Sequence, residues 1–250
     1  MGKVINRIGE EKLNNFGSKM KIVKYNSCSD VDIYFEEYNW TAKNKTYKVF
    51  KDGTIKCPYE PRTFGVGYLG EGEYKPTLNN NESLPYKYWR SMMFRCYSDK
   101  LHVKEPMYKN CIVCDDWLNF QNFAKWFDEN YYEVENECMQ LDKDILVKDN
   151  KVYSPDNCTF IPQRINALFI QRDSDRGEYP IGVTYNKRDN LFYVFCESKY
   201  LGSFDNPKDG FNRYKIYKEN LIKQVADEYK DKIPQRLYKA MYSYKVEITD

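Results

Sequence analysis

Apolar and polar positions alternate in the first third of the chain, in short runs bounded by turn residues. The runs at 20–25, 31–35 and 54–57 have the two-residue period that is typical of strands with one buried face. A glycine-rich segment at 65–72 then interrupts the pattern. We therefore predict a small strand-rich module over residues 1–75.

The hydrophobic period becomes helical in the next part of the chain. A helix is predicted over residues 84–97, and a second over 117–131, where four aromatic residues recur at helical spacing. These aromatic residues are Trp117, Phe120, Phe123 and Phe127. We interpret this stripe as core, since a base-stacking platform is the less common use of such spacing.

The hydrophobic period changes again near residue 141. Residues 141–146 and 158–161 have the composition of strands, and residues 163–169 that of a short helix. This order predicts a hairpin closed by a helix. Together with the two preceding helices, it forms a predicted central ββα domain over residues 76–172.

Three strand-like runs and a long helix are predicted near the end of the chain. The runs lie at 181–186, 192–196 and 200–204. Asn206 and Pro207 suit the N-cap and the first turn of a helix, and a last short helix is predicted over 235–244. We expect a three-stranded sheet covered by a helix in residues 173–250, and an α+β fold class for the whole chain.

Composition limits the classes of function. The net charge is only +2, so any surface for nucleic acid must come from local clusters of lysine and arginine. Mean hydropathy is −0.81, and no apolar run approaches the roughly 18 residues of a membrane span. The first residues also lack the apolar core of a secretory signal. We expect a cytoplasmic protein without a membrane partner.

The eight cysteines are expected to be reduced thiols, because disulfides are rare in the cytoplasm. Cys111 and Cys114 have the two-residue spacing of half a zinc site, but no second pair follows. We therefore do not expect zinc, and interpret both cysteines as small buried hydrophobic residues.

The central module contains acidic and amide residues at a recognisable spacing. The first predicted strand includes Leu141-Asp142-Lys143-Asp144, and Tyr153-Ser154-Pro155-Asp156-Asn157 leads into the second; Asn166 lies on the helix. This arrangement resembles the ββα-metal centre of phage HNH homing endonucleases. The resemblance implies that Asp142 and Asn166 bind a magnesium ion and that Asn157 holds the loop. It also implies that Lys143 stands where the family has its general-base histidine.

The general base is therefore missing from this centre. Hydrolysis of a phosphodiester needs a metal ion to stabilise the developing charge and a base to deprotonate water. A lysine with an ordinary pKa of about 10.4 is protonated at neutral pH, so Lys143 is expected to pair with a phosphate or with Asp144. His102, the only histidine, is an alternative base. Alternatively, Asp142 and Asn166 only satisfy backbone groups beside turns.

The last module has a second family likeness. Gly182-Val183 opens the first strand, and Tyr200-Leu201-Gly202-Ser203-Phe204 precedes the helix that begins at Pro207. These features resemble the Apetala-type DNA-binding domain, whose three-stranded sheet lies in the major groove. The resemblance implies a set of groove-facing residues, with two flanking lysines. The groove-facing set is Thr184, Asn186, Arg188, Phe195 and Tyr200, and the flanking lysines are Lys187 and Lys199.

Three functional hypotheses follow. The leading one is a phage-type protein that binds double-stranded DNA and has a degenerate, non-cleaving HNH centre, acting in the cytoplasm of an infected bacterium. The second is an active, magnesium-dependent HNH nickase or homing endonuclease. The third is an inhibitor that binds a host defence enzyme through tyrosine-rich surfaces. For the last module itself, the alternative to DNA contact is a scaffold that serves for packing or protein contact.

Overall fold

The computed structural model describes residues 6–170 and 178–248. The chain separates into two compact units, Met1–Glu129, called the first unit, and Asn130–Asp250, called the second unit. The sequence predicted three modules; this division falls within the predicted middle module, and the predicted boundary at residue 172 lies outside the described residues. Helices and strands are mixed in both units, so the α+β class is confirmed.

The regular elements are as follows. The first part of the chain contains strands β1 (Glu11–Leu13), β2 (Lys19–Ser27), β3 (Asp30–Phe35), β4 (Trp40–Lys45), β5 (Thr77–Leu78), β6 (Asn81–Glu82) and β7 (Ile112–Val113), with helices α1 (Tyr47–Asp52), α2 (Leu84–Tyr97), α3 (Asp99–Lys104), α4 (Asp115–Leu118) and α5 (Phe120–Asn130). The second unit contains β8 (Met139–Asp142), β9 (Val152–Tyr153), β10 (Thr159–Pro162), β11 (Val183–Asn186), β12 (Leu191–Cys196) and β13 (Lys199–Phe204), with helices α6 (Gln163–Phe169), α7 (Pro207–Glu228) and α8 (Gln235–Ser243).

An antiparallel sheet of four strands, in the order β1-β2-β3-β4, begins the first unit. The predicted strands at 20–25 and 31–35 are present, as β2 and β3. The predicted strand at 54–57 is wrong, because Ile55 and Cys57 reach the core from a segment after α1 that forms no regular element. The Ile55 carbonyl accepts a hydrogen bond from the Asn14 side chain at 3.1 Å.

The helical part of the first unit follows its sequence pattern closely. Helix α2 has the predicted bounds. The second predicted helix is divided into α4 and α5 at Asn119, whose backbone is extended and whose side chain accepts a hydrogen bond from the Gln121 N–H. Trp117, Phe120 and Phe123 are fully buried, which confirms that the aromatic stripe is core.

A hairpin and a helix begin the second unit, in the predicted order. Strands β8 and β10 are antiparallel, with Asp142 opposite Thr159 and Met139 opposite Pro162, and α6 follows directly. The first strand ends earlier than predicted. Its last residue, Asp142, accepts hydrogen bonds from the backbone of the next turn and so diverts the chain from the sheet.

Helix α7 connects two hydrophobic cores within the second unit. Its N-terminal half buries Phe211 and Tyr214 against the three-stranded sheet β11-β12-β13, as predicted. Its C-terminal half buries Ile222 and Val225 in another core, which also contains Ile161 and other residues of the hairpin, α6 and α8. At 1.5 Å per residue the 22 residues of α7 extend about 33 Å, enough to cover both structures.

Helix α7 begins where the sequence predicts, since the Asn206 side chain accepts a hydrogen bond from the Asp209 N–H at 2.9 Å.

Among the residues that the structure describes, no helix is long and apolar enough to cross a membrane.

Candidate functional site

The end of strand β8 forms a tight polar corner. Oδ1 of Asp142 accepts hydrogen bonds from the backbone N–H of Asp144 at 3.0 Å and from that of Ile145 at 2.7 Å. This is the turn-holding role that short acidic side chains often have. Burial, and then the nearby Asp144 carboxylate, raise the pKa of Asp142 to about 6.

Lys143 is 6% exposed, and its Nζ lies 2.7 Å from Oδ2 of Asp144. Of the two partners expected for this ammonium, a phosphate or Asp144, the structure contains the second. An ammonium has no lone pair with which to take a proton from water, so Lys143 cannot act as a general base while it forms this ion pair.

Asn150, which the sequence analysis missed, organises the loop between β8 and β10. Its Nδ2 donates to the carbonyls of Lys143 and Val152, both at 2.7 Å. Its Oδ1 accepts from the Val152 N–H and from Nδ2 of Asn157, both at 3.2 Å. Asn157 therefore contributes to the loop through Asn150. The Asp149-Asn150 pair in the polar segment between the strands was the available signal.

The residues that the family likeness assigns to a metal ion fit Mg²⁺ poorly. Mg²⁺ prefers an octahedron of oxygen ligands that usually includes carboxylates, whereas Oδ1 of Asp142 already accepts two backbone N–H groups. Asn166 is half-buried on α6 and would add only a neutral carboxamide. Within residues 6–170 and 178–248, no group of three or more His, Cys, Asp or Glu side chains is suited to a metal ion.

The alternative base and the cysteine pair lie in the first unit. Nε2 of His102, on α3, is 2.9 Å from the Arg95 carbonyl. Cys111 is 2% exposed, and burial raises the pKa of the Cys114 thiol. Cys111 is therefore a buried residue, as predicted, whereas Cys114 is only half-buried.

The three-stranded sheet of the second unit has one face covered by α7 and one face turned outward. The strand register shows which side chains share each face, since neighbours along a strand alternate. Val183, Val194 and Cys196 are buried against α7. Seven side chains point the other way, and we call them the sheet face. They are Thr184, Asn186, Leu191, Tyr193, Phe195, Tyr200 and Ser203.

Three aromatic rings pack side by side on the sheet face. Phe195 is 41% exposed and Tyr200 is 50% exposed. The Tyr200 ring centroid lies 5.4 Å from that of Phe195 and 5.6 Å from that of Tyr193, with interplanar angles of 51° and 65°. Tyr193 was not among the predicted contact residues, although it alternates with Phe195 along β12 and so had to share its face.

Lys199 does not belong to the sheet face. It lies opposite Cys196 in the register, and its Nζ is 5.0 Å from the centroid of the Tyr217 ring on α7. This lysine was predicted to flank the groove-facing residues. Its contact with the helix directs it to the other side of the sheet.

Cations lie at one end of the sheet face, in the turn between β11 and β12. Lys187 and Arg188 are both exposed there. Oδ1 of Asn186 accepts hydrogen bonds from the backbone N–H of Arg188 at 2.9 Å and of Asp189 at 3.3 Å. Asn186 therefore shapes the turn that presents the two cations.

No model of a known protein family, no curated protein and no solved structure matches this chain. Its function is therefore inferred from its residues and their geometry.

The hairpin that carries Phe195 and Tyr200 is fixed to α7 by an ion pair that the sequence analysis also missed. Nζ of Lys218 lies 3.1 Å from Oε1 of Glu197. Glu197 and Ser198 have positive φ angles of 47° and 66°, which is the backbone of a tight two-residue hairpin turn. The contact crosses 21 residues of chain, so no local pattern predicts it.

We expect Asp142→Asn to stabilise the second unit at neutral pH. An asparagine oxygen can accept the same two backbone hydrogen bonds without placing a charge there. Because the folded-state pKa of Asp142 is raised, the folded protein binds more protons than the unfolded chain between about pH 4 and pH 6, and its stability falls as pH rises through that window. The variant avoids this loss, which is about 3 kcal/mol for a pKa that rises by about two units.

Urea unfolding followed by circular dichroism measures this effect. The gain should be present near pH 7 and absent near pH 4. Asp142→Ala, which lacks the acceptor, should show no such gain. An Asp142→Asn variant that is equally destabilised at both pH values would contradict the account of the corner.

Proposed function

We propose that this chain is a phage-type protein that binds double-stranded DNA through the sheet face, and that its nuclease-like corner does not cleave. One observation carries the proposal: apart from Asn186, the outward side of the sheet is apolar and hydroxylic, it contains no acidic side chain, and it has two exposed cations at one end. Thr184, Phe195 and Tyr200 are exposed on this face, and Lys187 and Arg188 are the cations.

The dimensions of the sheet suit the major groove of DNA. Neighbouring strands lie about 4.8 Å apart, so β11 and β13 are separated by roughly 10 Å. The major groove is about 12 Å wide. Leu201 has no partner on β12, because the register shifts by one residue between Val194 and Phe195. Such a bulge increases local twist, which helps a sheet to follow a groove.

The charges near the sheet face favour a polyanion. Lys187 and Arg188 have no acidic neighbour in the turn except Asp189, whose carboxylate accepts a hydrogen bond from the Tyr193 hydroxyl. Glu197, at the other end of the hairpin, is paired with Lys218. Although the whole chain has a net charge of only +2, this surface is locally positive.

The state of the corner supports the non-cleaving part of the proposal. Asp142 holds a turn, and the lysine that stands at the general-base position is buried in an ion pair with Asp144. Incubation of the full chain with supercoiled plasmid in Mg²⁺ and in Mn²⁺ tests this part. We expect the protein to bind the plasmid without nicking it. Nicking that Asp142→Ala abolishes would instead establish the nickase hypothesis.

The double variant Lys187→Ala/Arg188→Ala should weaken duplex binding about tenfold or more at low salt, because each cation neutralises a phosphate. Each such contact adds about 0.9 to the slope of log affinity against log salt, so the slope should fall by about 2. Fluorescence anisotropy with a labelled duplex measures both quantities.

Lys230→Ala/Lys239→Ala is the matched control. It removes the same charge from two exposed positions away from the sheet. Equal losses in the two double variants would contradict a specific role for the turn. Absence of any duplex binding in low salt, together with a stable protein partner in a pull-down, would favour the inhibitor hypothesis.

A further inference from the structure

The sheet face lacks the side chains that read guanine and adenine most strongly. Guanine is read by a bidentate arginine or lysine, and adenine by a carboxamide that uses both its oxygen and its nitrogen. Arg188 lies in the turn at one end of the sheet face, and Phe195 and Tyr200 lie at the other end. Asn186 is the only carboxamide on the sheet face, and its oxygen is used by the backbone N–H groups of Arg188 and Asp189.

The exposed rings of the sheet face offer apolar contact instead. Phe195 and Tyr200 expose 41% and 50% of their surface and lie beside the turn between β12 and β13. Thr184, opposite Tyr193, lies one strand from Phe195 and two strands from Tyr200. In the major groove, the only methyl group among the four bases is the 5-methyl of thymine. Apolar side chains on a face that fills the groove therefore have one natural partner.

We propose that the sheet face selects A·T-rich duplexes by packing Phe195, Tyr200 and Thr184 against the 5-methyl groups of thymine. This inference rests on the proposed function and specifies its substrate class. Lys187 and Arg188 then hold the DNA backbone, and the aromatic rings supply the preference among base pairs.

The aromatic rings of the sheet face are held rigidly enough to discriminate between base pairs. Val194, next to Phe195 in the strand, is fully buried, and the Phe195 N–H donates to the Gly182 carbonyl at 2.9 Å. The ion pair between Lys218 and Glu197 fixes the turn that leads to Tyr200. Little ordering of these groups is needed on binding, so the contact energy is retained as affinity.

The arrangement of the rings favours groove contact over stacking on unpaired bases. A stacking platform needs ring faces that are open to the base. Here the three rings pack on one another at 51° and 65°, so their edges and partial faces form one uneven surface. Such a surface can receive methyl groups, whereas a flat base would have to separate the rings.

Thymine can be replaced by uracil to test the inference, since this removes only the methyl group. Anisotropy is measured with an A·T-rich duplex, the same duplex with uracil throughout, a G·C duplex with and without 5-methylcytosine, and the single strands. We expect the uracil duplex to bind about fourfold more weakly for each methyl group that the sheet face buries. Methylation of cytosine at the same ring position should strengthen binding.

Phe195→Ala/Tyr200→Ala should bind the thymine and uracil duplexes equally, while Phe195→Leu, which keeps an apolar side chain, should still distinguish them. If the double alanine variant fails to fold, the affinities of the unaltered chain for the thymine and uracil duplexes are sufficient to test the inference. Equal affinities for thymine and uracil duplexes would overturn this inference and leave the proposed function standing. Tighter binding of single strands would overturn the inference in favour of base stacking, and no duplex binding would overturn the proposed function itself.

Discussion

Ile222→Ala is expected to lower the free energy of unfolding of the second unit by about 2–5 kcal/mol, the usual range for removing a large aliphatic side chain from a packed core. Ile222 is 1% exposed on α7 and belongs to the core that also contains Ile161 and Ile165. Because the hairpin, α6 and α7 share this core, the loss should appear in the hairpin as well as in the helix.

Amide hydrogen exchange in β10 is the suitable measurement, since all four tryptophans lie in the first unit and their fluorescence reports on that unit. Ile216→Ala is the matched control, because Ile216 is 56% exposed on the same helix. It should change the stability by less than about 0.5 kcal/mol. Faster exchange in α7 alone, with β10 unaffected, would contradict the shared core.

Gly182→Ala should be comparably damaging, and should also weaken duplex binding. Gly182 has φ of +76°, where an alanine is strained by roughly 1–2 kcal/mol. A Cβ atom there would lie 2.2 Å from a ring carbon of Tyr214 and 2.8 Å from the Phe195 carbonyl oxygen. Overpacking of this kind adds about 1–3 kcal/mol. Because the Phe195 carbonyl belongs to the backbone of β12, relief of that contact must shift the strand that carries Phe195 relative to Gly182.

Gly65→Ala separates strain from collision. Gly65 has nearly the same φ, +77°, but nothing lies within 4 Å of its added Cβ. The free energy of unfolding of Gly65→Ala should fall only by the cost of the left-handed backbone, roughly 1–2 kcal/mol. Urea unfolding of both variants, with anisotropy on the duplex, makes the comparison. If Gly182→Ala is as mild as Gly65→Ala and binds duplex normally, the close packing between Gly182 and Tyr214 is not important to the sheet.

Much of the second unit could be predicted because its signals are local. The alternation in β12 determines which side chains share a face, and the Asn206-Pro207 start fixes the beginning of α7. The short α6 also has the bounds predicted for it. In these places the period of the sequence and the chemistry of the helix start agree.

The wrong predictions of secondary structure arose where contacts with residues far away in sequence determine the local structure. Ile55 and Cys57 alternate as strand residues do, yet the sheet takes β4 as its fourth strand. The polar composition of β4 concealed it, since only Ala42 of that strand is buried. Asn119 divides the predicted helix, and an added Cβ at Gly70 would lie 2.2 Å from its Oδ1, so a segment far away in sequence packs against the break.

The candidate sites show the same limit. Sequence spacing brought attention to Asp142 and Lys143, but could not reveal that one holds a turn and the other pairs with Asp144. It assigned Asn186 to base readout, while the structure gives its oxygen to the turn. Side-chain hydrogen bonds depend on which backbone groups remain unpaired after folding, and a linear pattern does not contain that information.

Photo-crosslinking tests most directly whether the sheet face meets the bases of a duplex. The full chain is irradiated on a duplex in which 5-iodouracil replaces thymine, which puts the reactive atom in the major groove, and the crosslinked peptide is identified by mass spectrometry. The account predicts attachment within β12 or β13, at Tyr193, Phe195 or Tyr200. Crosslinks confined to residues 6–170 on a duplex that the protein retains would contradict it.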